Sequence, residues 1–226
     1  MCGISGIISQ HSVSLNELKL MTDIIYHRGP DDEGFLLMDH KYQVTCYGGN
    51  DTPDLVWSSM LHYTPGKRIT EHKDNTIRMA LGHRRLSILD LSPSGHQPIS
   101  YANNRFWIVF NGEIYNYQDI KTELQNLGHH FISKTDSEVV LAAFTEWGEE
   151  CLNRFVGMWA LVIYDNTSHE LFLSRDRYGI KPLYYWFSPT GDLYFASEIK
   201  QFTVVYDWQA KINPQRVYDY LLYSFT

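Results

Sequence analysis

The chain has 226 residues, of which 44% are hydrophobic, 15% aromatic and 20% charged, a composition that excludes a disordered chain and predicts a sizeable core. The formal net charge of −7 argues against nucleic acid or an anionic membrane as a partner, because both require a basic surface. Three cysteines, Cys2, Cys46 and Cys151, suit neither a disulfide framework nor a metal site, and so low a count is typical of a reducing compartment. No stretch is long and apolar enough to span a bilayer. We therefore expect a cytoplasmic protein without a metal.

Strands are predicted to cluster at both ends of the chain, with helices in between and at the edges. Residues 2–9 are β-branched and punctuated by glycine, which predicts a strand. Ser14 and Glu17 have the spacing of a capping box, which starts a helix that the turn residues 27–32 end. Residues 48–76 mix Gly, Pro, Asp and Lys and are interpreted as an inserted surface excursion with one helical turn. Three further strands are predicted at residues 34–38, 42–47 and 77–86.

The second half begins with a strand and two helices and then returns to strands. The continuous apolar run at residues 105–110 predicts a strand covered on both faces. Asn116 and the pair Thr135 and Glu138 predict the starts of two helices, and Asn213 before a proline predicts a last one. Four short strands lie between them, at residues 159–165, 171–175, 183–187 and 193–196. This order predicts an α+β or layered αββα arrangement with a two-sheet core.

Cys2 is the first candidate for chemistry. If Met1 is removed, one residue carries both a thiol nucleophile and an α-amine that can act as its base. Both groups exchange protons near neutral pH, because their reference pKa values are about 8.5 and about 8. The alternative is a small buried apolar residue at the start of a strand.

Three further positions could complete a site for an amino acid whose side chain is attacked. Asn111 and Gly112 could supply two donors to an oxyanion, although Asn-Gly also favours a type I′ turn. Arg85 suits a carboxylate, unless it is a surface residue on a strand. Asp136 could hold an ammonium group, or be there because the helix dipole favours a carboxylate. No spacing in the sequence shows that these residues meet.

The motifs follow one another in an order that resembles that of a known protein family. The chain resembles the glutaminase domain of asparagine synthetases, a class II glutamine amidotransferase and N-terminal-nucleophile hydrolase, over almost all residues outside 48–76. The matching stretches are CGISGI at the start, HRGPDDEG at 27–34, GHRRLSILDLSPSGHQP at 82–98, NGEIYNY at 111–117, TDSEVVL at 135–141, FVGMWA at 155–160, RDRYGIKPLYY at 175–185 and FASEIK at 195–200.

The resemblance implies a fold and a reaction. The fold would be a four-layer αββα arrangement with two mainly antiparallel sheets, and Met1 would be removed. Cys2 would attack the side-chain amide of glutamine, Asn111 and Gly112 would hold the oxyanion, and ammonia would leave. Water would then hydrolyse the thioester to glutamate.

The resemblance also implies how glutamine is bound. Arg85 would hold the α-carboxylate, and Asp136, with help from Glu113, would hold the α-amine. The backbone around three residues would line the pocket: Leu86, Ile88 and Leu89.

The domain organisation follows from the same resemblance. Residues 1–212 would form the amidotransferase domain, and residues 213–226 would begin a linker or helix leading to a synthetase domain. The pyrophosphate-gripping S-G-G-x-D-S loop of that domain does not occur in this sequence. ATP and magnesium are therefore expected only there, and no cofactor is expected in this chain. The expected partners are glutamine and a synthetase domain in the same or a partner chain, and a homodimer is left open.

Two other readings stay open. A catalytically silent module could keep the fold and sense glutamine or dock a partner. An N-terminal-cysteine acylase could act on another amide, and it would not need Arg85 and Asp136. The leading prediction is a glutaminase that supplies ammonia to an ATP-dependent, asparagine-synthetase-like amidation.

Overall fold

Two sheets form the centre of the molecule. The computed structural model describes residues 1–73, 76–88 and 90–224. The larger sheet contains Gly3–Ile8 (β1), Asp32–Asp39 (β2), Val44–Gly48 (β3), Lys67–Arg68 (β4), Ile77–Arg85 (β5), Tyr184–Phe187 (β10) and Leu193–Ala196 (β11). Its strand order is β10-β11-β1-β5-β2-β3-β4. Neighbouring strands are antiparallel except β3 and β4, which are parallel.

The smaller sheet lies against the larger one. It contains Ile99–Tyr101 (β6), Phe106–Ile114 (β7), Gly157–Asp165 (β8) and Glu170–Arg175 (β9), paired in that order and all antiparallel. Contacts of β7 with β1 and β5 join the two sheets.

Five α-helices lie among the described residues: Leu15–Asp23 (α1), Asp54–Trp57 (α2), Tyr117–Asn126 (α3), Asp136–Trp147 (α4) and Pro214–Tyr223 (α5). Helix α1 packs on β1 and β5, whereas α4 packs on β6, β7 and α3. The layers are therefore helix, sheet, sheet and helix, as predicted.

Alternation along the strands builds two apolar layers. On β2, Leu36 and Met38 belong to the cluster between the sheets, while Phe35 and Leu37 belong to the cluster beneath α1. Successive strand side chains point to opposite faces, so an apolar run such as β2 is buried on both sides.

The predicted helix starts are mostly confirmed. Three side-chain oxygens accept a backbone N–H of the helix that they begin: Ser14, Thr135 and Asn213. Asn116 occupies the N-cap position of α3 but makes no capping bond. Its side chain instead donates to the carbonyl of Arg154 at 3.0 Å and accepts from Val156 N at 2.9 Å. Asn116 thus ties α3 to the chain that enters β8.

Two segments differ from expectation. Strand β7 continues through Asn111 and Gly112, which pair with Ala160 and Trp159, because β8 is long enough to pair with them. The type I′ turn is therefore excluded. Residues 48–76 form α2, the helical turn that was predicted, but they also add β4 to the sheet. The surface interpretation is wrong for the buried side chains of this segment: Thr52, Val56, Tyr63 and Ile69.

Helix α5 follows the predicted start but buries none of its side chains in the described part of the chain. The boundary at residue 212 stays a prediction. No helix in the described ranges is long and apolar enough to cross a membrane.

Candidate active site

A cavity of about 210 Å³ opens where the N-terminal end of β1 meets the C-terminal end of β5. In the β1–β5 ladder Gly3 pairs with Arg84, so the residues just beyond that pair come side by side. The cavity lining includes every predicted site residue that the structure describes: Cys2, Arg85, Leu86, Ile88, Asn111, Gly112, Glu113 and Asp136. Leu89, which was also predicted, lies outside the described residues.

Cys2 immediately precedes β1 and lines the cavity. Its Sγ accepts the backbone N–H of Leu86 at 3.4 Å and lies 3.7 Å from the Leu86 carbonyl oxygen. Burial raises the pKa of the Cys2 thiol, and the Leu86 backbone bond and the nearby positive charges only partly oppose this rise. Because the thiolate is the nucleophile, Cys2 needs a base close by.

The amino terminus lies beside this thiol. Partial burial lowers the pKa of the Met1 amine; the positive charges of Arg28 and Lys181 act in the same direction, and the charges of Cys2 and Asp31 oppose them. An amine at this position could, as the free base, take a proton from the thiol.

Asn111 presents a donor with no partner. Its side chain is 1% exposed, and its Nδ2 makes no hydrogen bond to any described residue. A buried amide left unpaired costs about 1–3 kcal/mol, so this group is available to a ligand in the cavity. It suits an oxygen that becomes negative during a reaction.

Gly112 lies next to this donor and has no room for a side chain. A Cβ here would fall 2.5 Å from the Met158 carbonyl oxygen and 2.6 Å from Phe110 Cζ. Close packing of β7 against β8 thus requires glycine, and it leaves the backbone at the cavity wall uncovered.

Arg85 is a buried cation whose hydrogen-bond partners among the described residues are backbone oxygens. Its side chain is 8% exposed, and its guanidinium donates to the carbonyls of Asp90 and Ser92. Among the described residues no carboxylate oxygen lies within 4.0 Å of it. The interpretation of Arg85 as a surface residue is therefore wrong, and its charge remains available for an anionic ligand.

Asp136 carries the opposite charge on the same cavity. It begins α4, is 5% exposed, and accepts the Ile114 N–H through Oδ2 at 3.0 Å. Burial raises its pKa to about 6, and the charge of Glu113 acts in the same direction. The carboxylate is costly to ionise alone, and an ammonium partner would relieve that cost.

Lys181 is a site residue that sequence reasoning missed. It lines the cavity, is 5% exposed, and donates from Nζ to Met1 Sδ at 3.2 Å. The backbone N–H groups of Ile180 and Lys181 both donate to Asp176 at 2.9 Å and fix the turn that aims it inward. The only signal in the sequence was its place in the matching stretch 175–185, because lysine in a turn is ordinarily exposed.

Other lining residues also went unpredicted: Asp90, Gly95, Gln97, Phe110, Thr135, Ser137 and Met158. No group of three or more His, Cys, Asp or Glu within the described ranges is placed to hold a metal ion.

The two-sheet fold and the groups that line the cavity are those expected of an amidotransferase domain. Residues 57–226 match the sequence profile described as a glutamine amidotransferase domain, and the chain belongs to this family.

Curated relatives extend the match to the whole chain. It is 32% identical over 100% of its length to asparagine synthetase [glutamine-hydrolyzing] 1 of Bacillus subtilis and covers 30% of that protein. It is 35% identical over 94% of its length to putative asparagine synthetase [glutamine-hydrolyzing] 2 of Methanocaldococcus jannaschii and covers 37% of it. The chain therefore spans about a third of the length of these relatives.

Solved structures confirm the fold. Glutamine phosphoribosylpyrophosphate amidotransferase of Bacillus subtilis, in complex with ADP and GMP, superimposes with a TM-score of 0.68 at 21% identity. That match covers 90% of this chain and 43% of the other. A glutamine aminotransferase class-II domain protein of Silicibacter pomeroyi matches with a TM-score of 0.52 at 15% identity, over 86% of this chain and 88% of that one. The predicted α+β arrangement of two mainly antiparallel sheets is thus confirmed.

Proposed function

We propose that this chain hydrolyses L-glutamine to glutamate and ammonia through a thioester on Cys2. The observation that carries the proposal is the content of one cavity: a thiol, an unpaired amide donor, a buried cation and a buried acid. Each group matches one need of the reaction, and the match to the amidotransferase profile supports the same assignment.

Substrate binding uses the two opposite charges. The glutamine α-carboxylate pairs with the Arg85 guanidinium, whose fork of donors suits two carboxylate oxygens. The α-ammonium pairs with Asp136, with Glu113 nearby adding negative charge. The chain at Leu86 and Ile88 forms a wall of the pocket. This fixes both ends of the amino-acid group and directs the side-chain amide toward Cys2.

The chemical steps follow from the proposed removal of Met1. The Cys2 α-amine takes the thiol proton, and Sγ attacks the amide carbon to form a C–S bond. The carbonyl electron pair moves to oxygen, where Asn111 Nδ2 and Gly112 N stabilise the charge. The C–N bond then breaks, the α-amine returns its proton to the leaving nitrogen, and ammonia departs. Water attacks the thioester carbon, and the thiol is released with glutamate.

Mass spectrometry tests the nucleophile directly. Intact-mass measurement of active protein should show that Met1 is absent, and retention of Met1 in active protein would show that the mechanism is wrong. A glutamine-analogue electrophile, 6-diazo-5-oxo-L-norleucine, should add once, at Cys2. Cys2→Ala should lose both the adduct and glutaminase activity while keeping the wild-type circular dichroism spectrum.

Arg85→Ala separates this function from an acylase acting on another amide. It should lose reaction with the glutamine analogue but keep alkylation by iodoacetamide, because only the former needs a carboxylate partner. An Arg85→Ala enzyme that still reacts normally with the analogue would favour the acylase. The silent-module reading is not favoured, because every group that the reaction needs lines the cavity.

We further propose that the ammonia passes to an ATP-dependent synthetase domain in the same or a partner chain. The relatives named above are described as glutamine-hydrolysing asparagine synthetases, which supports asparagine as the final product. ATP and magnesium are assigned to that domain, and the hydrolysis proposed for this chain uses neither. A test is whether glutamine and this chain together can replace added ammonia when the ATP-dependent synthetase domain amidates aspartate. The cytoplasmic location stays a prediction.

A further inference from the structure

The inserted segment, residues 48–76, is fastened to the central sheet at its beginning. Arg84, 2% exposed, pairs with Asp51 at 2.6 Å and with the buried Glu33 at 2.8 Å. Thr52 Oγ1 donates to the Glu33 carbonyl at 2.5 Å. The segment therefore has a fixed origin on β2 and β5.

Tyr63 is a fully buried residue of the inserted segment. Its side chain is 0% exposed and belongs to the large hydrophobic cluster that includes residues of both sheets. Its hydroxyl donates to the backbone carbonyl of Ser94 at 2.7 Å. A buried tyrosine hydroxyl needs a partner, and here that partner lies 31 residues away in the chain.

Ser94 belongs to the loop that encloses the Arg85 guanidinium. The carbonyls of Asp90 and Ser92 accept from Arg85, and a Cβ on Gly95 would collide with the guanidinium. The loop, residues 90–95, thus wraps closely around the cation and sets its direction.

Hydrogen bonds also hold the Asp90 end of loop 90–95. Asp90 accepts the Ser92 N–H at 2.9 Å and the Lys134 N–H at 3.1 Å, which ties the loop to the chain before α4. The bond from Tyr63 is the matching support from the inserted segment. Without it, the Ser94 end of the loop loses its side-chain link to the core.

We propose that Tyr63 is a positioning residue for glutamine: it holds loop 90–95 against Arg85, and the inserted segment serves to place it there. This rests on the proposed function, because Arg85 is the carboxylate partner only if glutamine is the substrate. Tyr63 does not touch the reacting atoms, so its loss changes binding more than chemistry.

Tyr63→Phe keeps the buried ring and removes only the hydroxyl. The expected result is a KM for glutamine raised about five- to tenfold, with kcat within about twofold of wild type, the size expected for one buried hydrogen bond. Tyr194→Phe is the matched control. Tyr194 is also buried, at 7% exposure, and its hydroxyl donates to Glu17 at 3.1 Å, with neither residue lining the cavity.

Hydrogen exchange measured by mass spectrometry gives a second readout that needs no activity. Peptides covering loop 90–95 should exchange faster in Tyr63→Phe than in wild type, and at the wild-type rate in Tyr194→Phe. An unchanged KM in Tyr63→Phe, or an equal rise in both variants, overturns the proposal, as does unchanged exchange of the loop. If the wild-type chain hydrolyses no glutamine, the proposed function fails on that result alone, and the exchange comparison still decides whether Tyr63 holds the loop.

Discussion

Asp136→Asn should make the protein more stable while it weakens glutamine binding. In the free protein the Asp136 carboxylate is buried and has no cationic partner within 4.0 Å among the described residues. Its ionised form is useful only when a substrate ammonium arrives. An asparagine keeps the shape and one acceptor for the Ile114 N–H but carries no charge to bury.

The magnitude follows from the raised pKa of Asp136. A rise from 3.8 to about 6 is roughly 2 pKa units, or about 3 kcal/mol at 1.36 kcal/mol per unit. Asparagine accepts fewer of the backbone bonds that the carboxylate receives, so we expect a net gain of about 1–2 kcal/mol at pH 8. For a chain of this size, that gain corresponds to a Tm rise of about 2–8 °C.

The stability difference between Asp136→Asn and the wild type depends on pH. Because the folded pKa of Asp136 lies above the unfolded one, the folded state binds the proton more tightly. The contribution of Asp136 to the free energy of unfolding of the wild type is therefore greatest below the unfolded pKa of 3.8. This contribution is lost as pH rises through the folded pKa of about 6. The Tm advantage of Asp136→Asn should be small near pH 4, grow up to about pH 6 and level off by about pH 7.

Differential scanning calorimetry at several pH values is the assay, and Asp176→Asn is the control with the opposite sign. Burial raises the pKa of Asp176, but backbone N–H bonds from Lys181, Ile180 and other residues outweigh this and leave it below its ordinary value. Asp176→Asn should therefore lower Tm at neutral pH, and the loss should shrink in acid. A Tm advantage of Asp136→Asn that does not vary between pH 4 and 8, or a lower Tm at pH 8, would refute the reasoning. The KM of Asp136→Asn for glutamine should rise at least about 30-fold, since a buried ammonium loses its charge partner.

Three further predictions concern the cavity wall. Asn111→Ala should lower kcat about 100- to 1000-fold with little change in KM, because it removes an oxyanion donor; steady-state kinetics with an undiminished kcat would contradict this. Gly112→Ala should cost about 1–3 kcal/mol of stability, because its Cβ meets Met158 O; an unchanged Tm would show that the strands can separate. Lys181→Met should move the acidic limb of the kcat/KM profile to higher pH, because it removes a positive charge that lowers the pKa of the Met1 amine and that we expect to act in the same way on the Cys2 amine once Met1 is removed. Lys181→Arg should restore the limb, and a limb that stays in place in Lys181→Met would show that Lys181 has another role.

Short-range features of this protein were predictable because their partners lie a few residues apart. The caps at Ser14, Thr135 and Asn213 each join a side chain to the backbone N–H of a residue two or three positions later. A short sequence pattern can predict a bond over so small a separation. The continuous apolar run at residues 105–110, which predicted a strand covered on both faces, is likewise a local pattern, and residues 106–110 are buried. The site residues were predicted differently, from the order of motifs that resemble a family.

Long-range features were settled only by the tertiary structure. Asn116 has the residue type of a helix cap, yet its side chain bonds to residues 38 and 40 positions away, because strand entry brings a second set of partners within reach. The burial of Lys181 beside Met1 joins residues that are 180 positions apart, a contact that no short sequence pattern can predict. Tyr63 was expected on a surface excursion, because a segment rich in Gly, Pro, Asp and Lys has the composition of a loop.

The amino-acid sequence by itself determined the nucleophile candidate, the charges that suit an amino acid, and the starts of most helices, since these depend on residue type and short spacing. The tertiary structure decided that Cys2 lies 3.4 Å from Leu86 N, 84 positions along the chain, and that Arg85, Asn111 and Asp136 line the same cavity. It also decided that Asn111 lies inside β7, with its Nδ2 making no hydrogen bond to any described residue. The physical reason is that β1, β5, β7 and α4 come together only when the two sheets pack, and the apolar surface that drives this packing carries no information about which polar groups will meet at its edge.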